Sequence, residues 1–344
     1  MSSMKRVWLA GPSLLHLKDK PLQLTCLDQP VVLFDTPEGP ACLLDACPHR
    51  QASLALGKVS QGCLACPLHG WEFDGCGAVK RIPAHGEHKL GSRFQTRAIK
   101  TLALAGWVFI ETGVVLSDQS LQFRLVDSEL GSEPEFTPDV EPFFSLESGS
   151  WRTISGVYDW QADFTRVTAN GIDFSHLPFV HPKQFGNSDR TEVGAFRPIR
   201  FAGGATAEQL LLPPDNFVQK AMQWLVKGGQ KLSVKGSVSF LIPNLTRLDL
   251  DLGFGKKMVI VDANVPIAEG KTRTYWVAYR NFLTNPLWDF EFRSQTTKVF
   301  DADRAVVESQ LGPMPLFPNG ELSVASDATE LQYRSLLRGL VHGA

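Results

Sequence analysis

The sequence predicts an α+β protein: a small all-β domain followed by a larger domain in which helices pack against an antiparallel sheet. As far as residue 118, short apolar runs alternate with turns rich in Gly and Pro. Residues 125–150 then hold seven acidic residues, three prolines and no basic residue. From residue 232 onward, long stretches alternate between apolar and polar residues before helical periodicity returns. We therefore expect domains at 1–118 and 151–344, joined by an acidic, proline-containing linker at 119–150.

Elements of the first domain are predicted from local composition. Residues 31–34, 42–44 and 106–110 are apolar runs of strand length. Asp74-Gly75 is a strong signal for a hairpin turn. Together these features predict short strands joined by tight turns.

In the second domain, residues 163–175 are expected to form a helix that ends before Pro178. Leucines at 248, 250 and 252 alternate with aspartates, and similar alternation at 259–265 and 272–279 predicts antiparallel strands with one buried face. Helices are expected at 287–311 and 328–341. The apolar side of the last helix should consist of Leu331, Tyr333, Leu336, Leu337 and Leu340.

Composition excludes several classes of protein. The net charge is −2 and no basic stripe is present, which argues against nucleic acid as the main partner. No apolar run reaches the roughly eighteen residues of a membrane helix. The start of the chain resembles a signal peptide only faintly, because Gly11-Pro12 interrupts it and no cleavage site follows. We therefore expect a cytoplasmic protein without a membrane or nucleic-acid partner.

All six cysteines lie in the first 76 residues, which indicates metal binding rather than a disulfide framework. Residues 47–49 read Cys-Pro-His, and residues 66–69 read Cys-Pro-Leu-His. Structural zinc sites use such ligands, but their pairs usually repeat one residue type. A mixed Cys/His pair in each loop is typical of a Rieske [2Fe–2S] centre, where one iron keeps two thiolates and the other binds two imidazoles. We predict its ligands to be Cys47, His49, Cys66 and His69.

The other four cysteines are expected to be small buried hydrophobic residues. They are Cys26, Cys42, Cys63 and Cys76.

A second group of metal-binding residue types lies at 170–181. His176 and His181 would point about 140° apart on an unbroken helix, but Pro178 interrupts the helix and lets the chain bring the rings together. Asp173, three residues before His176, can accept a hydrogen bond from the ring nitrogen that does not bind metal. Two histidines alone are often structural; beside a Rieske centre they suggest a non-haem iron site.

Such a site needs a carboxylate to complete a facial triad with positions open to O₂. Asp303 lies in the apolar stripe of its helix, with Val299, Phe300, Val306 and Val307 three or four residues away. Asp301 and Glu308 flank Arg304 on the opposite side, as in a solvated ion-pair face. Because a buried acid needs a partner, Asp303 is the predicted third ligand.

These motifs together resemble the Rieske non-haem iron oxygenases, in the α-subunit-only group that includes vanillate O-demethylase and dicamba monooxygenase. The resemblance spans nearly the whole chain and implies a Rieske domain followed by a helix-grip catalytic domain. It also implies a head-to-tail homotrimer, in which Asp173 bridges His176 and a neighbouring subunit's second Rieske histidine. The chain departs from the family at Ala169, where members often carry an acid.

The resemblance implies a monooxygenase or dioxygenase that uses O₂, a [2Fe–2S] cluster and mononuclear Fe(II) to hydroxylate or oxidatively demethylate a small, apolar or aromatic substrate. No G-x-G-x-x-G fingerprint follows a strand, so electrons should come from a separate reductase, with or without a ferredoxin. Two alternatives remain open at this point. One is a Rieske electron carrier or redox sensor, and the other is a ligand-binding protein with a vestigial iron site.

Overall fold

The structure is a computed structural model that describes residues 4–17, 20–85, 94–117, 120–126, 140–182, 186–189, 191–192, 197–211, 234–317 and 321–342. Internal contacts divide the chain into two compact units. The first comprises Met1–Thr137 with Val265–Glu269, and the second comprises Pro138–Asn264 with Gly270–Ala344. The domain bounds predicted from the sequence stay predictions.

In the part of the chain that the structure describes, the first unit contains twelve short strands. They are β1 Lys5–Ser13, β2 Leu22–Cys26, β3 Gln29–Thr36, β4 Gly39–Leu44, β5 Lys58–Ser60, β6 Cys63–Ala65, β7 Glu72–Phe73, β8 Val79–Arg81, β9 Ala98–Ile99, β10 Thr101–Leu104, β11 Trp107–Ser117 and β12 Ser120–Leu125.

These strands form three antiparallel sheets, with orders β1-β11-β10, β2-β3-β4-β9 and β5-β6-β7-β8, and β12 pairs with β11. The all-β prediction is confirmed, and the three predicted runs fall in β3, β4 and β11. Asp74-Gly75 begins the turn between β7 and β8, where the Asp74 carboxylate accepts the backbone N–H groups of Cys76 and Ala78. The predicted hairpin is therefore present.

The region expected to be a linker contains ordered structure at both ends. Ser120–Leu125 continues the first unit as β12, in register with Thr112–Ser117 of β11. Val140 and Phe143 are buried at its other end. Residues 127–139, which carry most of the acidic charge, lie outside the described residues.

The strands of the second unit are β13 Arg152–Trp160, β14 Ile199–Phe201, β15 Gly204–Leu211, β16 Val234–Leu241, β17 Leu245–Asp251, β18 Lys257–Ala268 and β19 Lys271–Arg280. Its described helices are α1 Glu141–Phe144, α2 Phe164–Gly171, α3 Leu177–Val180, α4 Asp289–Val307 and α5 Ala328–His342. The seven strands form one sheet of order β13-β19-β18-β17-β16-β15-β14, and the α+β prediction is confirmed. No helix among the described residues is long and apolar enough to cross a membrane.

Helix α2 is shorter than the sequence predicted. The Asp163 side chain accepts the Thr165 N–H and begins the helix. The helix ends at Gly171 rather than at residue 175, and Pro178 does not break it. Pro178 instead lies in the first turn of the separate helix α3, where its missing N–H costs nothing.

Helix α4 begins at Asp289 and ends at Val307, within the predicted range of 287–311. Asp303 and Val307 are buried, as the helical pattern requires, but Val306 is half exposed. In α5, Tyr333 and Leu337 are fully buried, whereas Leu331 is 43% exposed and does not belong to the buried side. The apolar stripes are therefore narrower than predicted.

Candidate metal centres

The two loops predicted to hold the cluster have matching backbone geometry. In the first loop, Cys47 donates its N–H to Ala52, and Gln51 donates its N–H to the Cys47 carbonyl. In the second loop, Cys66 donates its N–H to the Trp71 carbonyl, and Gly70 donates its N–H to the Cys66 carbonyl. Gln51 and Gly70 occupy equivalent places, and both have left-handed backbones, with φ of 57° and 69°. Each loop thus curls around its cysteine in the same way.

The side chains of the two loops converge. Cys47 and Cys66 are buried, with 1% and 3% exposure, whereas His49 and His69 are exposed. The two imidazole centroids lie 4.6 Å apart, and Trp71 stacks on His49 at 4.8 Å with an interplanar angle of 6°. Two sheltered thiols and two surface imidazoles match the ligand set of a Rieske cluster.

The electrostatics of these loops also fit metal binding. Partial desolvation and the neighbouring His69 and Arg50 lower the pKa of His49, which favours the neutral imidazole that a metal requires. Burial, together with the adjacent Cys66 thiol, raises the pKa of Cys47. A bound metal would supply the positive charge that stabilises the two thiolates in this environment.

Asp45 fixes the first loop and was not identified from the sequence. Its carboxylate accepts the Ala55 N–H at 2.8 Å and the Ser53 hydroxyl at 2.8 Å, and the Gln23 amide donates to it at 2.5 Å. These contacts join β2 to both sides of the loop. No local sequence pattern identifies this role, because it depends on contacts with residues distant in the sequence.

The remaining cysteines divide into two groups. Cys26 and Cys42 are fully buried, as predicted, and burial raises the pKa of Cys26 to about 12. Cys63 is half-buried and Cys76 is exposed, so the prediction is wrong for Cys76. None of the six cysteines forms a disulfide.

A second centre forms in the other unit. His176, His181 and Asp303 each offer one ligand atom, and these atoms all lie within 4.8 Å of one another. Asp303 Oδ1 is 2.9 Å from His181 Nε2 and 3.6 Å from His176 Nε2. His181 and Asp303 are 1% and 5% exposed. Neighbouring ligands of one iron at about 2.1 Å lie about 3 Å apart, so this arrangement suits a facial triad.

Helix α3 positions both histidines. His176 immediately precedes the helix, and its backbone carbonyl accepts the Val180 N–H. His181 immediately follows the helix and donates its backbone N–H to the Leu177 carbonyl. One helical turn therefore separates the rings, whose centroids are 5.3 Å apart. The rings meet because a short helix spans the gap, not because a longer helix is broken.

Asp173 orients His176, although it lies in a turn rather than on the predicted helix. Its carboxylate accepts the Ser175 N–H at 2.7 Å and the His176 N–H at 3.0 Å. It also lies 3.3 Å from His176 Nδ1, which leaves Nε2 directed at Asp303. Burial alone would raise the pKa of Asp173, but hydrogen bonds from His176 and Ser175 outweigh it, and the pKa is lowered.

The two other acids of α4 have different partners. Asp301 accepts the Tyr158 hydroxyl at 2.6 Å, and Glu308 accepts the Gln161 N–H at 2.8 Å. Glu308 also lies 3.7 Å from Arg304. Neither acid contributes to the group formed by Asp303 and the histidines.

The sequence patterns of two known families match this chain. The Rieske [2Fe-2S] domain matches residues 6–102, and the vanillate O-demethylase oxygenase C-terminal domain matches residues 160–343. The chain belongs to the Rieske oxygenases of the vanillate O-demethylase family. This oxygenase thus carries a [2Fe–2S] cluster, and its second domain implies mononuclear iron and O₂. It is an oxygenase component that acts on a small organic molecule and receives electrons from separate partners.

Known relatives agree with this assignment. The oxygenase component of dicamba O-demethylase from Stenotrophomonas maltophilia is 31% identical over 182 residues, which are 53% of this chain and 48% of that protein. A putative toluene-4-sulfonate monooxygenase iron-sulfur subunit from Comamonas testosteroni is 26% identical and covers 98% of this chain and 97% of its own length.

Solved structures show the same fold. Dicamba monooxygenase bound to dicamba superposes with a TM-score of 0.71 at 22% identity, covering 97% of this chain and 96% of that chain. The demethylase NdmA of Pseudomonas putida with caffeine also superposes with a TM-score of 0.71, at 23% identity. The match covers 96% of this chain and 89% of that chain.

Proposed function

We propose that this oxygenase inserts one atom of O₂ into a small apolar or aromatic molecule while the other atom becomes water. A separate reductase, directly or through a ferredoxin, supplies two electrons, and two protons complete the water. Hydroxylation of a methoxy or N-methyl carbon would release formaldehyde, so the net reaction would be demethylation. The convergence of His176, His181 and Asp303 within 4.8 Å is the observation that supports this proposal.

In this proposal, Cys47 and Cys66 bind one iron of the cluster, and His49 and His69 bind the other. His176, His181 and Asp303 bind the mononuclear iron, leaving one side open. When bound, the cluster supplies electrons singly and the mononuclear iron supplies the position at which O₂ is reduced. Backbone hydrogen bonds within the loops and α3 hold these ligands in place.

Asp173 is proposed to be a positioning residue. By accepting the Nδ1 proton of His176, it fixes the tautomer and orientation of that imidazole and leaves Nε2 free to bind metal. The Asp173 side chain is 29% exposed, and both Rieske histidines are exposed. In a head-to-tail homotrimer, Asp173 would also accept a hydrogen bond from His69 of the partner subunit and give electrons a route between chains.

Demethylation is favoured as the outcome because two relatives are named demethylases, for dicamba and for methylxanthine. We also propose that the protein works in the cytoplasm. None of the six cysteines forms a disulfide, which suits a reducing compartment.

Metal content and oxygen uptake test the proposal. An oxygenase should hold about three irons per chain, whereas a Rieske electron carrier should hold about two. With a surrogate reductase and a panel of methoxy and N-methyl aromatic compounds, at least one compound should couple O₂ consumption to a product 16 mass units heavier or to formaldehyde. Three irons without coupled oxygen uptake for any compound would instead support a ligand-binding protein.

The cluster ligands have their own test. Cys66→Ser should abolish the Rieske EPR signal of the reduced protein, because serine does not supply the thiolate. Cys76→Ser is the matched control, since Cys76 is exposed and outside the two loops. A signal that survives Cys66→Ser unchanged would overturn the ligand assignment.

A further inference from the structure

One face of the catalytic sheet is covered by helices, and strand register identifies its residues. In β17 and β18, Thr246 pairs with Asp262, Leu248 with Ile260, and Leu250 with Met258, so these side chains share a face. Met258 and Ile260 pack in a cluster with Phe292 and Phe300 of α4. We call this helix-covered side the inner face.

Helix α2 lies against the same face at its other end. The Asn264 amide donates to the Thr168 hydroxyl of α2 at 3.1 Å. A Cβ placed on Gly171, the last residue of α2, would lie 3.4 Å from the Thr246 side chain. The inner face is therefore in contact with α2 at Asn264 and Thr246.

Asp262 lies between these two contacts. On β18 it follows Ile260, which packs in the α4 cluster, and precedes Asn264, which contacts α2. The chain leads from the end of α2 directly to His176, and α4 carries Asp303. The Asp262 carboxylate thus lies on the part of the sheet between α2, which precedes the histidine segment, and α4, which carries Asp303.

Asp262 is half-buried, and its carboxylate lacks the partners that a carboxylate shielded from solvent normally has. Its Oδ1 is shielded from solvent and has no hydrogen-bond partner among the described residues. In the part of the chain that the structure describes, its Oδ2 accepts a hydrogen bond only from the Thr246 hydroxyl, at 3.5 Å. Burial raises the pKa of Asp262 to about 7, which reflects the cost of an uncompensated charge. Such a group weakens the folded protein, so a role in stability does not explain it.

The surroundings of Asp262 are apolar and keep some accessible surface. Leu248, Met258 and Ile260 are half-buried on the inner face, as are Phe292 and Phe300 opposite them. Because these side chains keep part of their surface accessible, the inner face is packed less tightly here than a fully buried core. A mostly apolar wall with one convergent polar group is the usual composition of a small-molecule site.

We propose that Asp262 determines substrate specificity by accepting a hydrogen bond from an N–H, protonated amine or hydroxyl group of an otherwise apolar substrate. This inference rests on the proposed oxygenase function and names its substrate class. The same carboxylate repels carboxylates and sulfonates, so the site selects against anionic aromatic compounds.

Calorimetric binding tests this specificity without turnover. The iron-loaded enzyme is titrated anaerobically, without reductase, with benzylamine, benzyl alcohol, anisole and benzoate, which share a ring and differ in charge and donor capacity. Benzylamine and benzyl alcohol should bind more tightly than anisole, and benzoate should bind least. Asp262→Asn should weaken benzylamine binding roughly ten- to hundredfold and narrow the gap to benzoate.

Asp251→Asn is the matched control, because Asp251 lies on β17 with its side chain on the opposite face, paired to Lys257 at 3.9 Å. It should leave the ranking unchanged. Asp262→Asn should also leave the melting temperature unchanged or raise it, since the carboxylate has only one long hydrogen bond.

Several results would overturn the inference. They are benzoate binding as tightly as benzylamine, no donor compound binding at millimolar concentration, an unchanged ranking in Asp262→Asn, and a large loss of stability in that variant. Oxygen uptake is a separate measurement. If the donor preference holds but no compound is oxygenated, the proposed function fails while recognition by Asp262 stands.

Discussion

Among single residues, Asp303 is the proposed iron ligand whose carboxylate lies within reach of two imidazoles. Asp303→Ala should lower the iron content by about one atom per chain and leave the Rieske EPR signal intact. Metal analysis and EPR on the same sample check this. Asp301→Ala is the matched control on the same helix, since Asp301 accepts a hydrogen bond from Tyr158 instead. Loss of iron in Asp301→Ala, with none in Asp303→Ala, would contradict the ligand assignment.

Asp173 is the second residue whose chemistry can be separated from its structural role. Asn in its place keeps one acceptor for the backbone N–H groups of Ser175 and His176 but removes the charge. We expect Asp173→Asn to keep both metal sites largely filled while turnover falls by orders of magnitude, because the imidazole loses its orienting carboxylate.

Rapid-mixing measurements distinguish a role of Asp173 in electron transfer from a role in stabilising the turn alone. The cluster is reduced, substrate and O₂ are added, and cluster reoxidation is followed. If Asp173 only stabilises the turn, Asp173→Asn should cost about 1 kcal/mol of stability and leave reoxidation unslowed. Normal reoxidation with normal product yield would therefore rule out the electron-transfer role.

At the scale of elements, an ion-pair group attaches α4 to the sheet. Asp289 in the first turn of α4 accepts hydrogen bonds from Arg152 of β13 and Arg280 of β19. Hydrogen bonding to Arg152, followed by Arg280, holds the pKa of Asp289 well below its usual range. Since α4 carries Asp303, this ion-pair group also helps to position the proposed third iron ligand relative to the sheet.

The depressed pKa predicts how stability depends on pH. The Asp289 contribution is present in full above the pKa of the unfolded carboxyl, about 3.9, and is lost as the pH falls through the folded-state value. Asp289→Asn should therefore lower the melting temperature by a few degrees near neutral pH, and the difference from the wild type should shrink in acid. Glu291→Gln, in the same helical turn, should change little. A difference that grows in acid would contradict this account.

The sequence predicted those features that depend on residues close together in the chain and missed those that depend on distant residues. The Rieske ligands and His176 with His181 lie in short contiguous motifs, and helical periodicity sufficed to place Asp303 on a buried face. The end of α2 was missed because an acid-capped turn at Asp173 replaces the expected last helical turn. Asp45 and Asp262 were missed because their roles depend on contacts between strands, which no local pattern encodes.

At the scale of the whole molecule, the proposed homotrimer would carry electrons from the cluster of one subunit to the iron of another. Both Rieske histidines, His49 and His69, are exposed at the surface. Their exposure supports transfer between subunits, because a partner subunit could contact them directly. Electron transfer within one chain and electron transfer between chains give different results when two inactive variants are mixed. Cys66→Ser removes a cluster ligand and keeps the iron triad, whereas Asp303→Ala does the opposite.

Equal amounts of the two variants, assembled together, should recover about a quarter of wild-type activity in a closed ring with random mixing. Half of the chains keep the iron triad, and half of their donor neighbours keep the cluster. If electrons stay within one chain, the mixture should be inactive. A second mixture, of wild type with the double variant, should give about one quarter for transfer between chains and about one half for transfer within a chain. A different affinity tag on each variant, with two successive purifications, establishes that mixed trimers have formed, and inactivity of the first mixture despite mixed trimers would overturn the intersubunit route.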